Sequence, residues 1–479
     1  MRGCKMKGWK FLMKKEGCGQ RGVQLAALLL GGLMLSTAGA VSLDDCVEAA
    51  LQQNPGLQGT VHRIAAARAA ADQARSAYYP VLSLSGNYSR TDNPSQAFMM
   101  ALNQRGLDMT DPALNVSDPA DTDNLRLSSR ARYRLYDGGQ RRAAHRMTQL
   151  SVDAEQRAAD VFRNQLIYQV MDGYYRALQA RDVVLVRRET LESMQENLRV
   201  AQERFDAGSA LITDVLNLDV QVEQAREEWI RAKHGLELAV HALNTAIGTE
   251  MATAANLAAP EESEGGGQES EIGGRKSEVG GRKSEVGGPK SEVGEATLSA
   301  EHPELMAARA MLDIREQGVR KSRRAYAPTL NAYGSVDWDS DVSSDLEQSY
   351  LVGVVAEWDL FDGFRRRSEL GAARAQRAEA HTDYQQIRNE LQLGLRQALI
   401  RKQEAQERIT VTEAGKTSAT RALEVTRDRY QQGAATLSDL LTAQTGLTAM
   451  QTRNRAAFYD YLTALANVKR AQGQLIHVD

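Results

Sequence analysis

The chain carries one plan twice, and no single motif constrains it as much. Pro55 and Pro303 stand 248 residues apart, and so do Pro80 and Pro328, inside matching stretches at 51–88 and 299–336. Each copy then reaches an Asp-Gly pair, Asp137-Gly138 in RYRLYDGGQRR and Asp362-Gly363 in AEWDLFDGFRRR, now at offset 225. The same offset relates ERFDAGSALITDVLNL (203–218) to DRYQQGAATLSDLLTA (428–443). The 23-residue change in offset falls wholly between Pro80 and Asp137, so the first copy has the longer loop there.

Between the Asp-Gly pair and the last matching glycine, each copy runs from Gln140 to about Asp206, or from Phe364 to about Gln431, without proline. At 1.5 Å per residue, such a stretch makes a helix of about 100 Å. A helix of that length is not stable in water without partners along its side. The returning segments supply the seam. Val215, Leu218, Val222, Ala225, Trp229, Ala232, Leu236, Ala239, Leu243 and Ala246 recur in steps of three and four, as do Leu447, Met450, Asn454, Ala457, Tyr461, Ala464 and Val468. That spacing predicts left-handed coiled-coil hairpins over 140–248 and 364–474, turning at Gly208 and Gly433.

The segments before each Asp-Gly pair change period. Leu125, Leu127, Ala131, Tyr133 and Leu135 alternate with Arg126, Arg130, Arg132 and Arg134, the pattern of a strand. Tyr350, Val352, Val354, Ala356, Trp358 and Leu360 alternate in the same way, and shorter runs follow Pro80 and Pro328. Strands are therefore expected near 81–89, 125–136, 329–338 and 349–360. Their length suits a tilted crossing of a bilayer, although a soluble sheet packed on helices would alternate as well.

Residues outside the repeats bear on that choice. Residues 1–21 hold seven basic side chains against Glu16, an apolar core runs from Val23 to Leu35, and Ala38-Gly39-Ala40 ends the segment. This is the order of a secretory signal over 1–40. Removing it leaves a net charge of −9, which argues against nucleic acid as a partner. Cys46 then remains alone, expected as a half-buried helix residue rather than a nucleophile. No apolar run is long enough for a membrane helix. An exported chain with apolar-out, charged-in strands fits an outer-membrane β-barrel. Four strands cannot close one, so several copies must pool them. Asp137 and Asp362 are expected to cap the long helices. The first repeat spans 41–260 and the second 298–479. The tract GGRKSEV-GGRKSEV-GGPKSEV lies between them in a low-complexity linker at 261–297, where two glycines per repeat disfavour a helix.

The chain resembles the TolC-like outer-membrane efflux protein family. The resemblance rests on Asn54-Pro55 and His302-Pro303, Tyr79-Pro80 and Ala327-Pro328, Tyr136-Asp137-Gly138 and Phe361-Asp362-Gly363, and the turns at Gly208–Asp214 and Gly433–Asp439. It implies a mainly α fold with a small β part. Duplicated coiled-coil hairpins and four transmembrane strands per chain would build a homotrimeric α-barrel/β-barrel tube in the outer membrane, reaching into the periplasm. It also implies docking to a periplasmic adaptor protein and an inner-membrane pump of the RND or ABC type, for efflux or type I secretion.

By the same resemblance, Asp439 is a pore-facing carboxylate at the periplasmic mouth, and Asp214 and Tyr430 are partners that hold inner and outer hairpins together. Ala435 and Thr442 depart from some relatives, which implies a looser latch and a single acidic ring. The turns, with Gly208, Leu211, Thr213, Gly433, Leu437 and Ser438, are the implied adaptor contacts. Arg126, Arg130, Arg132 and Arg134 are expected to face the barrel lumen, or to balance Glu357 and Asp359 on a neighbouring strand. No catalytic constellation, metal-ligand spacing or cofactor motif is present. The alternative is a periplasmic coiled-coil adaptor or scaffold without a pore.

Overall fold

The computed structural model describes residues 40–107, 117–259, 298–341 and 345–475. The expected signal, apart from Ala40, and the expected linker lie outside them. In chain order the elements are α1 (Leu43–Gln53), α2 (Pro55–Ser76), β1 (Val81–Thr91), α3 (Pro94–Asn103), β2 (Thr122–Tyr136), α4 (Gln140–Asp206) and α5 (Ile212–Ile247). Then follow α6 (Pro303–Arg324), β3 (Thr329–Ser340), β4 (Glu347–Glu357), α7 (Arg365–Gln431) and α8 (Leu437–Gln472). The two copies correspond: α2, β1, β2, α4 and α5 repeat as α6, β3, β4, α7 and α8.

Helices α4 and α7 are 67 residues each, about 100 Å long. Their partners α5 and α8 have 36 residues and cover only the half nearest the hairpin turn. Two shorter helices complete the rods. Asn54 caps α2 by accepting from Gly56 N and Leu57 N, while its Nδ2 donates to Ala246 O near the end of α5 at 2.9 Å. The end of α8 meets the start of α6 in the same way. A Cβ on Gly473 would lie 2.9 Å from Pro303 Cδ, and the residue sits at φ 75°, so only glycine fits. Each Asn-Pro or His-Pro break is thus the joint of a rod made of two pieces.

The seam residues are the buried ones. Val215, Leu218, Val222, Ala225, Leu236 and Leu243 line α5, and Leu447, Ala457, Ala464 and Val468 line α8. Full burial of a leucine such as Leu218 contributes about 1.5–3 kcal/mol. A larger core lies midway along α4, where Ile167, Val170, Tyr174 and Leu178 meet α1, the end of α5 and Tyr459 and Leu462 of α8. Cys46 sits there at 0% exposure, more deeply than the half-buried position expected. Burial pushes its thiol up to about 12, so it is an apolar filler and not a nucleophile.

The four strands form one antiparallel sheet in the order β1-β2-β3-β4. Five bounds differ from expectation, two of them by three residues. Strand β2 begins earlier, at Thr122, and β4 ends at Glu357, leaving Trp358 and Leu360 outside it. The chain bends there because Asp359 O accepts from Arg366 Nη2, and Trp358 Nε1 donates to Tyr326 O. The short helix α3 in the long β1–β2 connection was not anticipated.

Candidate functional site

The sheet register sorts its side chains into two faces. Leu82 pairs with Ala131, Tyr88 with Leu125 and Leu127 with Trp338, while Val336 pairs with Tyr350 and Ala332 with Val354. Directly paired residues share a face, so all of these lie on one apolar surface. That surface is uncovered: Leu84 is 71% exposed, Leu125 46% and Val352 77%. The long rods do not bury it. Among the described residues no helix is long and apolar enough to cross a membrane.

The opposite face is polar. Arg126 Nε donates to Asp339 Oδ1 at 2.7 Å, and Asn124 Nδ2 donates to the same oxygen at 2.8 Å. Asp339 is 1% exposed. Its pairing with Arg126 replaces the expected balance with Glu357 and Asp359. The alternating Asp337 and Asp339 in β3 were the available signal. Arg130, Arg132 and Arg134 lie on this face too, exposed and without an ion-pair partner among the described residues.

Helix α3 folds over the outer end of the polar face. Gln104 Nε2 donates to Asn124 Oδ1 and to Asp123 O, and Arg105 Nη1 lies 3.1 Å from Glu347 of β4. Arg105 holds a left-handed conformation at φ 52°, at a cost of about 1–2 kcal/mol for a residue with a Cβ. The segment crosses from the β1–β2 connection to β4 on the side that bears the arginines.

At the other end of the sheet, both Asp-Gly pairs build the same joint. Asp137 Oδ2 accepts from Arg141 N and Arg141 Nε, and Arg141 reaches Ala77 O, Leu135 O and the Tyr78 ring. Asp362 Oδ2 likewise accepts from Arg366 N and Nε, and Arg366 reaches Ala325 O and lies over the Tyr326 ring. The aspartates are not the N-cap residues expected. Gly139 and Phe364 occupy that position in left-handed conformations, because the Asp-Gly turn uses two residues before the helix begins. Each carboxylate still takes a first-turn N–H and the arginine that ties helix, strand and preceding helix together. The shared Asp-Gly-x-x-Arg spacing was legible, but the arginine was missed.

The hairpin turns sit at the far ends of the rods. Gly208 and Gly433 have φ values of 73° and 77°, as their turn role requires. Leu211 and Ser438 are exposed, and Leu437 is buried against Leu440 and Tyr430. Tyr430 is brought together with Arg204 of the first hairpin and not, within one subunit, with Asp214. Arg204 donates to Tyr430 O and Gln431 O, each at 2.9 Å, with its guanidinium 5.1 Å from the Tyr430 ring. Arg204→Ala is expected to lose roughly 2 kcal/mol of local stability. Amide hydrogen exchange over 428–434 should then quicken about thirtyfold; unchanged exchange would show the contact to be idle.

Asp439 lies in a capping box. Its Oδ2 accepts from Thr436 N at 2.9 Å and Thr436 Oγ1 at 2.7 Å, and its N–H donates back to Thr436 Oγ1. These bonds, the hydroxyl's first, hold the carboxyl below its usual range. In the first repeat Leu211 stands where Thr436 does, so Asp214 has no such box. Asp214 instead borders an open groove between α5 and α8, across from Thr436 and Thr442. Among the described residues no group of three His, Cys, Asp or Glu side chains gathers to hold a metal.

Residues 46–249 and 296–474 match the outer membrane efflux protein family, which covers both repeats and leaves out the linker. The chain belongs to that family. Its place is accordingly the outer membrane. Outer membrane efflux protein BepC of Brucella suis is 22% identical over 94% of this chain and 90% of its own length. Protein CyaE of Bordetella pertussis is 26% identical over 72% of this chain, and alkaline protease secretion protein AprF of Pseudomonas aeruginosa 24% over 66%. The chain spans only 65% and 64% of the length of those two. Among solved structures, the outer membrane protein VceC of Vibrio cholerae superposes with a TM-score of 0.71 at 18% identity, over 90% of this chain and 96% of that one. The CmeC outer membrane channel of Campylobacter jejuni gives 0.73 at 17%, over 90% and 86%. At such identities the likeness establishes the fold of the efflux protein, with its small antiparallel sheet on long helices.

Proposed function

We propose that three copies of this efflux protein close into a passive exit duct. It takes cargo from a periplasmic adaptor protein and an inner-membrane pump of the RND or ABC class. The observation that carries the proposal is that the chain ends in open edges on both layers. Among the described residues, strands β1 and β4 each have one unpaired side. In the helical layer α2 and α5 pack on α4 at one border, while α7 packs on α6 and α8 at the other. Apolar side chains remain exposed on both borders: Leu216, Val220, Ile230 and Leu238 on α5, and Leu393, Ile400, Val411 and Val425 on α7. Docking β4 and α7 of one copy against β1, α2 and α5 of the next covers both edges at once. Repetition around an axis then closes the ring. Three sheets give twelve strands, enough for a barrel of about 24 Å across the backbone.

Within that tube Asp439 and Asp214 stand at the periplasmic mouth, with Asp439 repeated threefold as an acidic ring. Tyr430 and Arg204 tie the two hairpins of one subunit, and the turns with Gly208, Leu211, Thr213, Gly433, Leu437 and Ser438 meet the adaptor. The duct carries no energy source, so the pump drives transport and selects cargo.

Fractionation with outer membranes, a heat-modifiable trimer on gels and stepwise conductance in planar bilayers test the duct. A soluble periplasmic monomer would instead indicate a scaffold without a pore. Asp439→Asn is expected to weaken block by multivalent cations added on the periplasmic side by roughly tenfold. Since the capping bonds lower the Asp439 pKa, wild-type block should persist as pH falls to the ordinary carboxylate value of 3.8 and fade only below it. Equal block in both proteins would remove Asp439 from the mouth.

A further inference from the structure

We propose that the inner half of the barrel lumen is a cationic collar, formed by Arg130, Arg132 and Arg134, that binds polyvalent anions and favours the exit of anionic cargo. The inference rests on the shared-barrel proposal and adds a ligand class to it.

The register places the charges row by row. Arg134 shares its row with Asn331 and Val355. Arg132 lies level with Val81, Tyr333 and Gly353. Arg130 lies level with Ser83, Ser335 and Leu351. Three successive rows therefore hold one cation each and no acid. The next two rows outward hold Asp337, and then Arg126 with Asp339 and Glu347, so these acids lie beyond the collar on its outer side. Glu357, opposite Thr329, is the acid on the helix side of the collar, on the far strand of the sheet.

The three arginines are not spent on the fold. Arg126 is locked to Asp339, whereas the collar residues are exposed and have no ion-pair partner among the described residues. An open cleft beside the end of α2 is lined by Arg132 and Arg134 together with Tyr79, Val81, Asn331 and Tyr333. Successive rows are about 7 Å apart along a strand, less than the Debye length of about 8 Å at physiological salt. Their potentials therefore merge into one zone. In a trimer nine guanidinium groups converge on a low-dielectric wall, the arrangement that concentrates counter-ions. Guanidinium forks match phosphate and carboxylate oxygens in pairs, which identifies the preferred ligand as a polyvalent oxyanion.

The test uses the purified full-length trimer in planar bilayers with inorganic tripolyphosphate as the probe. Wild-type channels are expected to be blocked at low salt, with the block relieved by raising KCl. The Arg130→Gln/Arg132→Gln/Arg134→Gln variant should need at least roughly tenfold more tripolyphosphate, and its reversal potential in a KCl gradient should move toward cation preference. Should the triple variant not assemble, Arg132→Gln alone should weaken the block and Arg132→Lys should retain it. Conducting wild-type channels indifferent to tripolyphosphate, or equal block in wild type and glutamine variants, would overturn the collar while leaving the duct intact. A protein that forms no conducting species would overturn the duct, and the collar with it.

Discussion

Asp362→Ala is expected to lower the stability of the assembled protein by about 3 kcal/mol, and Asp137→Ala by a similar amount. Each aspartate neutralises an arginine that the fold has taken out of water. The Arg366 side chain is 7% exposed and that of Arg141 13%. Removing one partner of a buried pair commonly costs 3–5 kcal/mol, because the other charge stays behind. The carbonyl and ring contacts that Arg141 and Arg366 keep set the figure at the lower end. Arg199→Ala is the control. It breaks two ion pairs with Glu196 and Glu203 on the α4 surface, where exposed pairs contribute about 0–1 kcal/mol. Thermal dissociation of the trimer on gels reads the difference. Equal shifts for Asp362→Ala and Arg199→Ala would deny the junctions a special role.

Leu84→Arg is expected to abolish or strongly reduce the trimer recovered from outer membranes, while Ser85→Arg is tolerated. The two positions are neighbours in β1 and face opposite ways. Leu84 lies on the apolar surface at 71% exposure, and Ser85 pairs with Ser128 on the polar one. An arginine facing lipid near the bilayer midplane costs about 2–4 kcal/mol, and the trimer would bear that cost three times. Comparable yields of both variants would show that the apolar surface does not meet hydrocarbon.

The parts legible in sequence were those fixed by short-range rules. Proline breaks at Pro55 and Pro303, the change of period at residue 125 and the seam of α5 each depend on neighbours a few residues away, and they mark the helices and strands of the fold. What escaped depends on contacts made across the chain. The partner of Tyr430 is Arg204, 226 residues distant, and Asp339 lies 213 residues from Arg126. Helix α3 has only ten residues and opens with Asn93 and Pro94 after a strand, so its periodicity was too brief to stand out. The capping position shifted by two because an Asp-Gly turn with consecutive left-handed residues delays the helix, which a composition-based cap cannot register.

The division of each companion rod into two pieces has a mechanical consequence. At the level of Asn54 and of His302, only α4 and α7 pass without a break; the other two rods meet end to end through the Asn54 side chain and close glycine contacts. In the proposed duct, a twist applied at the hairpin turns would pass these joints along two continuous helices per subunit, because the abutting segments touch only end to end. The fold therefore places its breaks half-way along the rods, away from both the hairpin turns and the sheet.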